Sequence, residues 1–455
     1  MMPFRIVGHL VFLTLGILSV YYAAERVCYT DAAWQFFLRV NDEGFLFPMG
    51  RYGVAISEIP LFLAVKAGLP FNALIYLFSC SYIALYYLAW RLCTYTFNNQ
   101  AAGIALLLSL TLGWKHGFLH TVTETHQAMV FAILFYAFID SHSAVVKWWK
   151  YLVGTLLAFM AYLCHPVGIF MICFAAGYYA VSRKKVAHFE PYIYVVCCLL
   201  PTLFSFFVKT QGYDDQFYTE LKNVGQLAPK FFSLYPILFL TTRFPGLYWL
   251  PVFVGFMAVA LFYFNRQYLK LLTFLGGILA YVFIATIAFN KGDSDMMMEK
   301  TFLPVIFMLS IAFADQLIHF GRISLTRKSI LIALLCFAGI KYIIEGCKYY
   351  EQRVSFITKM VEKTGIPDCD KFYFKRSDQH NELMLAPWGF GTETLVLSKF
   401  YYTKQISIYS SWEGDSAYKD NTLFMGATFE PKHVSQLNPR YFSLNNNPYQ
   451  PINNP

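Results

Sequence analysis

Phe4-Arg5-Ile6-Val7-Gly8-His9-Leu10-Val11-Phe12-Leu13-Thr14-Leu15-Gly16-Ile17-Leu18-Ser19-Val20-Tyr21-Tyr22-Ala23-Ala24 carries its one charge at the start and meets none again until Glu25-Arg26, ahead of Cys28-Tyr29-Thr30-Asp31. An apolar run of about 20 residues crosses a hydrocarbon core about 30 Å thick. Its length and small residues also fit a secretory signal loosely; we read it as a first membrane span. Similar runs recur to about residue 346. The 455 residues are 57% hydrophobic, 19% aromatic and 14% charged, against roughly 25% charged in soluble domains. That balance excludes a water-soluble globular protein.

Short basic clusters set the expected topology. Arg91, Lys147-Trp148-Trp149-Lys150, Arg183-Lys184-Lys185, Arg266 with Lys270, and Arg322 with Arg327-Lys328 alternate with longer, more acidic loops, as the positive-inside rule requires. Placing them inside predicts an all-α polytopic protein with spans near 4 to 24, 72 to 90, 101 to 118, 126 to 141, 150 to 164, 167 to 182, 191 to 208, 246 to 264, 271 to 289, 302 to 318 and 329 to 346. This gives about eleven crossings, N-terminus in and C-terminus out. Residues 56 to 69 carry Glu58, Pro60 and Lys66 and are read as an interfacial helix on the outer leaflet.

The expected domains are a transmembrane unit, 1–346, with outer loops 25–71 and 209–245, and a small extracytoplasmic α/β or β domain, 347–455. In the latter, Glu393-Thr394-Leu395-Val396-Leu397-Ser398 and Gln405-Ile406-Ser407-Ile408-Tyr409 alternate in the manner of strands, and Asn445 to Pro455 reads as an extended tail. The +9 net charge is scattered without a basic tract, which argues against a nucleic-acid partner and for topology and membrane lipids. Ten cysteines include no CxxC pair. Cys80, Cys93, Cys173, Cys197 and Cys198 fall in apolar segments as small core residues, while Cys347 and Cys369 are a disulfide candidate in an oxidising compartment.

Ionisable residues are costly inside a bilayer, about 2.5 to 3.5 kcal/mol each at a helix centre, so charges gathered at one face invite a functional reading. Asp31, just past the first span, is either a helix cap or a partly shielded general base. Glu124 in His120-Thr121-Val122-Thr123-Glu124-Thr125-His126 is a second carboxylate or again a cap. His116, His120 and Glu124 at i, i+4 and i+8 would share a helical face able to bind a metal, but Gly117 and the β-branched run at 121–123 oppose continuous helix; no metal or other cofactor is assigned. His165, in His165-Pro166, is a hydrogen-bonded junction residue or a substrate contact. Arg51 in Met49-Gly50-Arg51-Tyr52-Gly53, Arg243 and Lys300 are snorkelling cations or ligands for a phosphate. Trp34, Phe36, Phe37, Phe45, Phe47 and Tyr52 are an aromatic belt or sugar-stacking contacts.

This layout resembles the C-type glycosyltransferase (GT-C) superfamily, which takes sugars from polyprenyl-phosphate carriers and includes protein O-mannosyltransferases and aminoarabinose transferases. The matching features are an acid and a later Arg in the first outer loop, Asp31 and Arg51; an acid about 90 residues on, Glu124; and His165-Pro166. Met298-Glu299-Lys300-Thr301-Phe302-Leu303-Pro304 is similar to a Glu-Arg-Tyr-x-x-Pro motif, with Lys300 for Arg and Thr301 for Tyr. The resemblance implies inverting transfer to a glycan, lipid or protein of the cell envelope. Asp31 would be the base, Arg51, Arg243 or Lys300 would hold the leaving phosphate, and His165, Trp34 and Tyr52 would contact substrate. The expected location is a bacterial inner membrane with the C-terminal domain periplasmic. A polymerase or ligase using a diphosphate-linked oligosaccharide, or a lipid or glycan transporter, are the alternatives.

Overall fold

A computed structural model describes residues 2–47, 50–145, 147–207, 215–292, 294–364, 369–375, 387–402, 404–411, 417–427 and 430–452. Met49 and residues 209–214 of the expected outer loop lie outside the described residues. The first half is a succession of helices: α1 Met2–Tyr21, α2 Ala23–Val27, α3 Thr30–Asp42, α4 Ala55–Lys66, α5 Phe71–Arg91, α6 Gln100–Leu112, α7 Glu124–Ser141, α8 Trp148–Cys164, α9 Gly168–Ser182 and α10 Glu190–Phe207. Four short helices follow, α11 Asp215–Lys222, α12 Val224–Leu227, α13 Tyr235–Leu238 and α14 Phe244–Leu247. Then come α15 Trp249–Phe264, α16 Tyr268–Ala288, α17 Asp295–His319 and α18 Leu325–Lys363.

Each predicted span overlaps a helix, though the span expected at 101 to 118 runs past the end of α6 at Leu112, and among the described residues five helices are long and apolar enough to cross a membrane. They are α1, α5 with the π-turn after it, α16, α17 and α18; a sixth candidate is the pair 224–247 and 249–264, bent by 96°. Helices α6, α8 and α9 are apolar but shorter, at 13, 17 and 15 residues. Helix starts follow local chemistry: Asn99, Ser294 and Ser324 accept the backbone N–H of Ala102, Met297 and Arg327 and so cap α6, α17 and α18. Along α1, Ile6, Leu10, Leu13 and Ile17 recur at helical spacing and point outward, as do Leu272 and Leu279 on α16. A water-exposed surface does not sustain such stripes, so the outer faces match a hydrocarbon solvent.

Ion pairs sort to the two ends of the bundle. Arg183 forks onto Asp140 at 2.7 Å; Glu190 binds Lys150 at 2.5 Å and Lys185 at 2.8 Å; Asp315 binds Lys270 at 2.9 Å. These connect the loops that the basic clusters assign to one side. Arg51 meets Glu124, and Arg243 meets Asp295, among the loops assigned to the other. Helix α4 packs along α5 and exposes Ile56, Ile59 and Leu63 on one stripe, while its Glu58 is buried against Arg39 of α3.

The C-terminal segment corrects several expectations. The boundary drawn after residue 346 falls inside α18, a continuous helix of 39 residues. Glu393 to Ser398 is not a strand but part of helix α19, Phe390–Tyr401. Every residue from Phe390 to Ser398 is buried, because α3, α18 and the sheets surround the helix; with no polar face, six alternating residues carry no usable period. The parallel sheet β2-β1-β5 joins β1 Lys371–Lys375, β2 Ser407–Ser411 and β5 Gln450–Pro451, so the segment expected as an extended tail pairs with β1 at Gln450–Pro451. An antiparallel pair, β3 Leu423–Ala427 and β4 Glu430–His433, adjoins it. Cys347 and Cys369 are both free thiols, Cys347 sitting within α18 and Cys369 donating to the Lys371 carbonyl.

Two glycines seat α18. A Cβ on Gly339 would meet the Thr111 carbonyl, and one on Gly346 the Lys115 carbonyl, at distances no real Cβ adopts. Their spacing of seven puts both on one helical face. Gly339→Val is therefore expected to destabilise the protein by about 1–3 kcal/mol through overpacking, read as a lowered melting temperature in detergent; an unchanged melt would contradict the close α18 approach.

Candidate functional site

At the end of the bundle that holds Asp31, the first helix breaks at Tyr22 and Cys28, and α3 starts at Thr30. Asp31 is not the cap: Tyr29 occupies that place without a side-chain hydrogen bond, and Asp31 stands exposed in the first turn. Capping arrives from far along the chain. The Thr30 N–H donates to the Glu393 carboxylate, the Thr30 hydroxyl donates to Oε1 at 3.1 Å, and Arg353 donates to Oε2 at 2.7 Å. Glu393 is fully buried and lies against the positive end of α3. Burial pushes its carboxyl upward, and Arg353 opposes that. The guanidinium also covers the Tyr29 ring at 5.2 Å. Helices α18 and α19 thereby fix the turn that presents Asp31.

Arg51 is brought in by glycine. Gly50 takes φ +71°, which favours a residue without Cβ, and Gly53 sits so close to the end of α8 that a Cβ would lie 2.6 Å from the Cys164 nitrogen. This contact puts Arg51 beside His165, the next residue, whose imidazole is pushed down by burial first and by Arg51 and Lys300 after it. Arg51 Nη1 reaches Glu124 Oε2 at 3.3 Å. Glu124 opens α7 after Thr123, so the acid also faces the helix dipole. Burial raises its carboxyl above the usual glutamate value; Arg51 and Lys300 pull it down and Asp31 pushes it up. Asp31, Arg51, Glu124, His165 and Lys300 thus share one electrostatic neighbourhood.

Lys300 lies half-buried on α17 with its Nζ 3.5 Å from His120 Nδ1. His120 Nε2 meets the Tyr350 hydroxyl at 3.1 Å, and that hydroxyl donates to Met296 Sδ at 3.4 Å. An imidazole kept neutral by burial, with its pKa lowered further by Lys300, accepts at Nδ1 and donates at Nε2. Among the described residues Lys300 forms no ion pair with a carboxylate. Its neighbour Glu299 is held elsewhere: it accepts the N–H groups of Lys115, His116 and Gly117 at 3.2, 3.1 and 2.6 Å and the Tyr248 hydroxyl at 2.6 Å. That grip pins α17 to the loop carrying His120.

The remaining candidates lie apart. Arg243 is exposed and engaged by Asp295 at 2.7 Å. Trp34 makes an edge contact with Trp388 at 6.0 Å, and Tyr52 is 59% exposed beside Phe47. Phe36 and Phe37 are core residues packed on Phe78 and Phe442, not stacking surfaces. The proposed face of His116, His120 and Glu124 does not form, since α6 ends at Leu112 and a 3-10 turn at Gly117–Leu119 intervenes. No group of three His, Cys, Asp or Glu suited to a metal occurs among the described residues. Sequence reasoning missed Glu393, Arg353, Thr30 and Tyr350; it named His120 only as part of a metal-binding face and Glu299 only within the motif that carries Lys300. Glu299 had a signal, an acid within an apolar helix; the Arg353–Glu393 pair had none short of the tertiary fold. No family model matches the sequence, and no curated protein matches it.

Glu393→Gln leaves Arg353 buried without its counter-charge, a loss expected to cost about 3–5 kcal/mol. Melting and limited proteolysis should show the C-terminal segment released first; wild-type behaviour would contradict the clamp. His120 and His165 are neutral in the folded state and ordinary, near 6.5, when unfolded. Below that pH the unfolded chain takes up protons that the folded chain does not. Stability should therefore fall with acidity, by up to about 1.4 kcal/mol per pH unit for each imidazole. His120→Gln should flatten this slope between pH 6.5 and 5; an unaltered slope would exclude His120 from it.

Proposed function

We propose that this chain is an integral membrane glycosyltransferase, about eleven-spanning, that moves a sugar from a polyprenyl-phosphate carrier to a cell-envelope acceptor. The observation that carries the reading is an exposed acid, Asp31, within electrostatic reach of Glu124, which pairs with Arg51 and also feels Lys300, at one end of an apolar bundle. A lipid-linked donor keeps its phosphate at the headgroup level, so its enzyme needs cations there and a base just above. Among the described residues Lys300 has no carboxylate partner, which leaves its charge for an anion.

In this mechanism Asp31 takes the proton of an acceptor hydroxyl as the oxygen attacks the anomeric carbon. The bond from that carbon to the phosphate oxygen breaks with inversion, and Arg51 and Lys300 stabilise the departing phosphate. Glu124 orients Arg51. The Arg243–Asp295 pair lies outside this group, so we leave Arg243 out of the phosphate site. The C-terminal segment then belongs to the extracytoplasmic side, with Trp34 and Tyr52 on the acceptor approach.

Native mass spectrometry of the gently purified protein tests the reading. A polyprenyl phosphate or its monosaccharide should co-purify with wild type and be lost from Arg51→Ala. Asp31→Asn should retain the lipid while transfer falls about 10²- to 10⁴-fold. A diphosphate-linked oligosaccharide in place of the monosaccharide would redirect the assignment to a polymerase or ligase, and absence of any carrier lipid would overturn it.

A further inference from the structure

At the opposite end of the bundle, two arginines share one tyrosine. The Arg5 guanidinium lies 4.2 Å and the Arg91 guanidinium 5.5 Å from the centre of the Tyr95 ring. Like charges so placed repel, and a ring quadrupole offsets this only in part. Among the described residues neither arginine pairs with a carboxylate, and Arg5 Nε is buried without a hydrogen-bond partner.

The surroundings are rigid and specific. Tyr95 belongs to a π-helical turn, Leu92–Thr96, a geometry that concentrates at functional positions. The widened turn frees the Thr94 carbonyl, which accepts from Arg5 Nη2 and Gln100 Nε2, each at 3.3 Å. His9 holds the Tyr95 hydroxyl at 2.8 Å through Nε2 and the Tyr87 hydroxyl at 3.0 Å through Nδ1. Gly8 allows Trp90 to lie flat against α1, where any Cβ would collide with the indole. The ring that the two cations share is therefore fixed from three sides.

An apolar path leads away from the cations. Ile6 and Leu10 on α1, Leu88 on the neighbouring α5 and Leu92 at the start of the π-turn are 49%, 47%, 57% and 42% exposed. They continue into the outward stripe of Leu13 and Ile17. We infer that Arg5 and Arg91 bind the phosphate of an anionic phospholipid headgroup, whose acyl chains lie along Ile6, Leu10, Leu88 and Leu92. A fork of guanidinium N–H groups suits phosphate oxygens, and basic pockets between apolar helices bind such headgroups. This inference rests on the membrane reading of the helices and is independent of sugar transfer.

The full-length protein in neutral detergent is titrated with phosphatidylglycerol, phosphatidylcholine or inorganic phosphate, and bound lipid is counted by native mass spectrometry alongside melting temperature. Wild type should prefer phosphatidylglycerol and melt higher with it. At about 1 kcal/mol for each basic residue near an anionic surface, Arg91→Gln should weaken that binding about 5-fold and Arg5→Gln with Arg91→Gln about 30-fold. Arg91 is exposed, so its single variant reports even if the double variant fails to fold, and Arg91→Lys should recover most of the binding. Equal binding of both lipids by wild type, or undiminished phosphatidylglycerol binding by the variants, would overturn the site. Inorganic phosphate competing fully with lipid would assign the arginines to a free anion instead and overturn the headgroup.

Discussion

Burying a charge without a partner is the constraint on which this structure turns. A chain that is 57% hydrophobic and 14% charged cannot leave ions inside its apolar layer without large cost. It gathers them at the two ends of the helices. At one end Glu190 is shared by Lys150 and Lys185, and Asp315 is wrapped by Lys270, Tyr178 and Gln316. At the other, Glu393 is shared by Arg353 and the start of α3, and Glu299 takes three backbone N–H groups. Each carboxylate binds segments far apart in sequence, so pairing of charge and docking of helices are one event.

The same constraint marks what is left incompletely compensated. Among the described residues Lys300 faces a neutral imidazole instead of a carboxylate, and Arg5 and Arg91 face an aromatic ring and, for Arg5, the Thr94 carbonyl, but no carboxylate. Structural ion pairs close on themselves; these cations remain open to an anion from outside. One group lies beside Asp31 and Glu124, the other at the far end of α1 and α5. On the readings proposed above, their separation assigns positive charge two distinct tasks, one in sugar transfer and one in lipid binding.

Periodicity and charge spacing were enough to locate the long apolar helices, since an apolar run of about 20 residues has few other folds. Asp31, Arg51, Glu124, His165 and Lys300 were visible as polar residues at predicted membrane boundaries, and the bundle does bring them together. Sequence could not place Arg243, because its partner Asp295 sits 52 residues away. It misread Glu393 to Ser398 because burial on every side erases the face that a period would reveal. It also mistook Phe36 and Phe37 for a surface, since local pattern does not say that Phe424 and Phe442 return to cover Phe37. The clamp of Arg353 and Glu393 was invisible for the same reason: its meaning lies in contacts across more than 300 residues to Thr30.

On the proposed reading, Arg51 and Lys300 form the seat of a lipid-linked phosphate close to Asp31. A cryo-electron-microscopy map of the protein in nanodiscs containing polyprenyl phosphate addresses it directly. Phosphate density should bridge Arg51 and Lys300, with the prenyl chain leaving into the bilayer. Phosphate held at another surface, with this site closed by the Arg51–Glu124 pair, would contradict it.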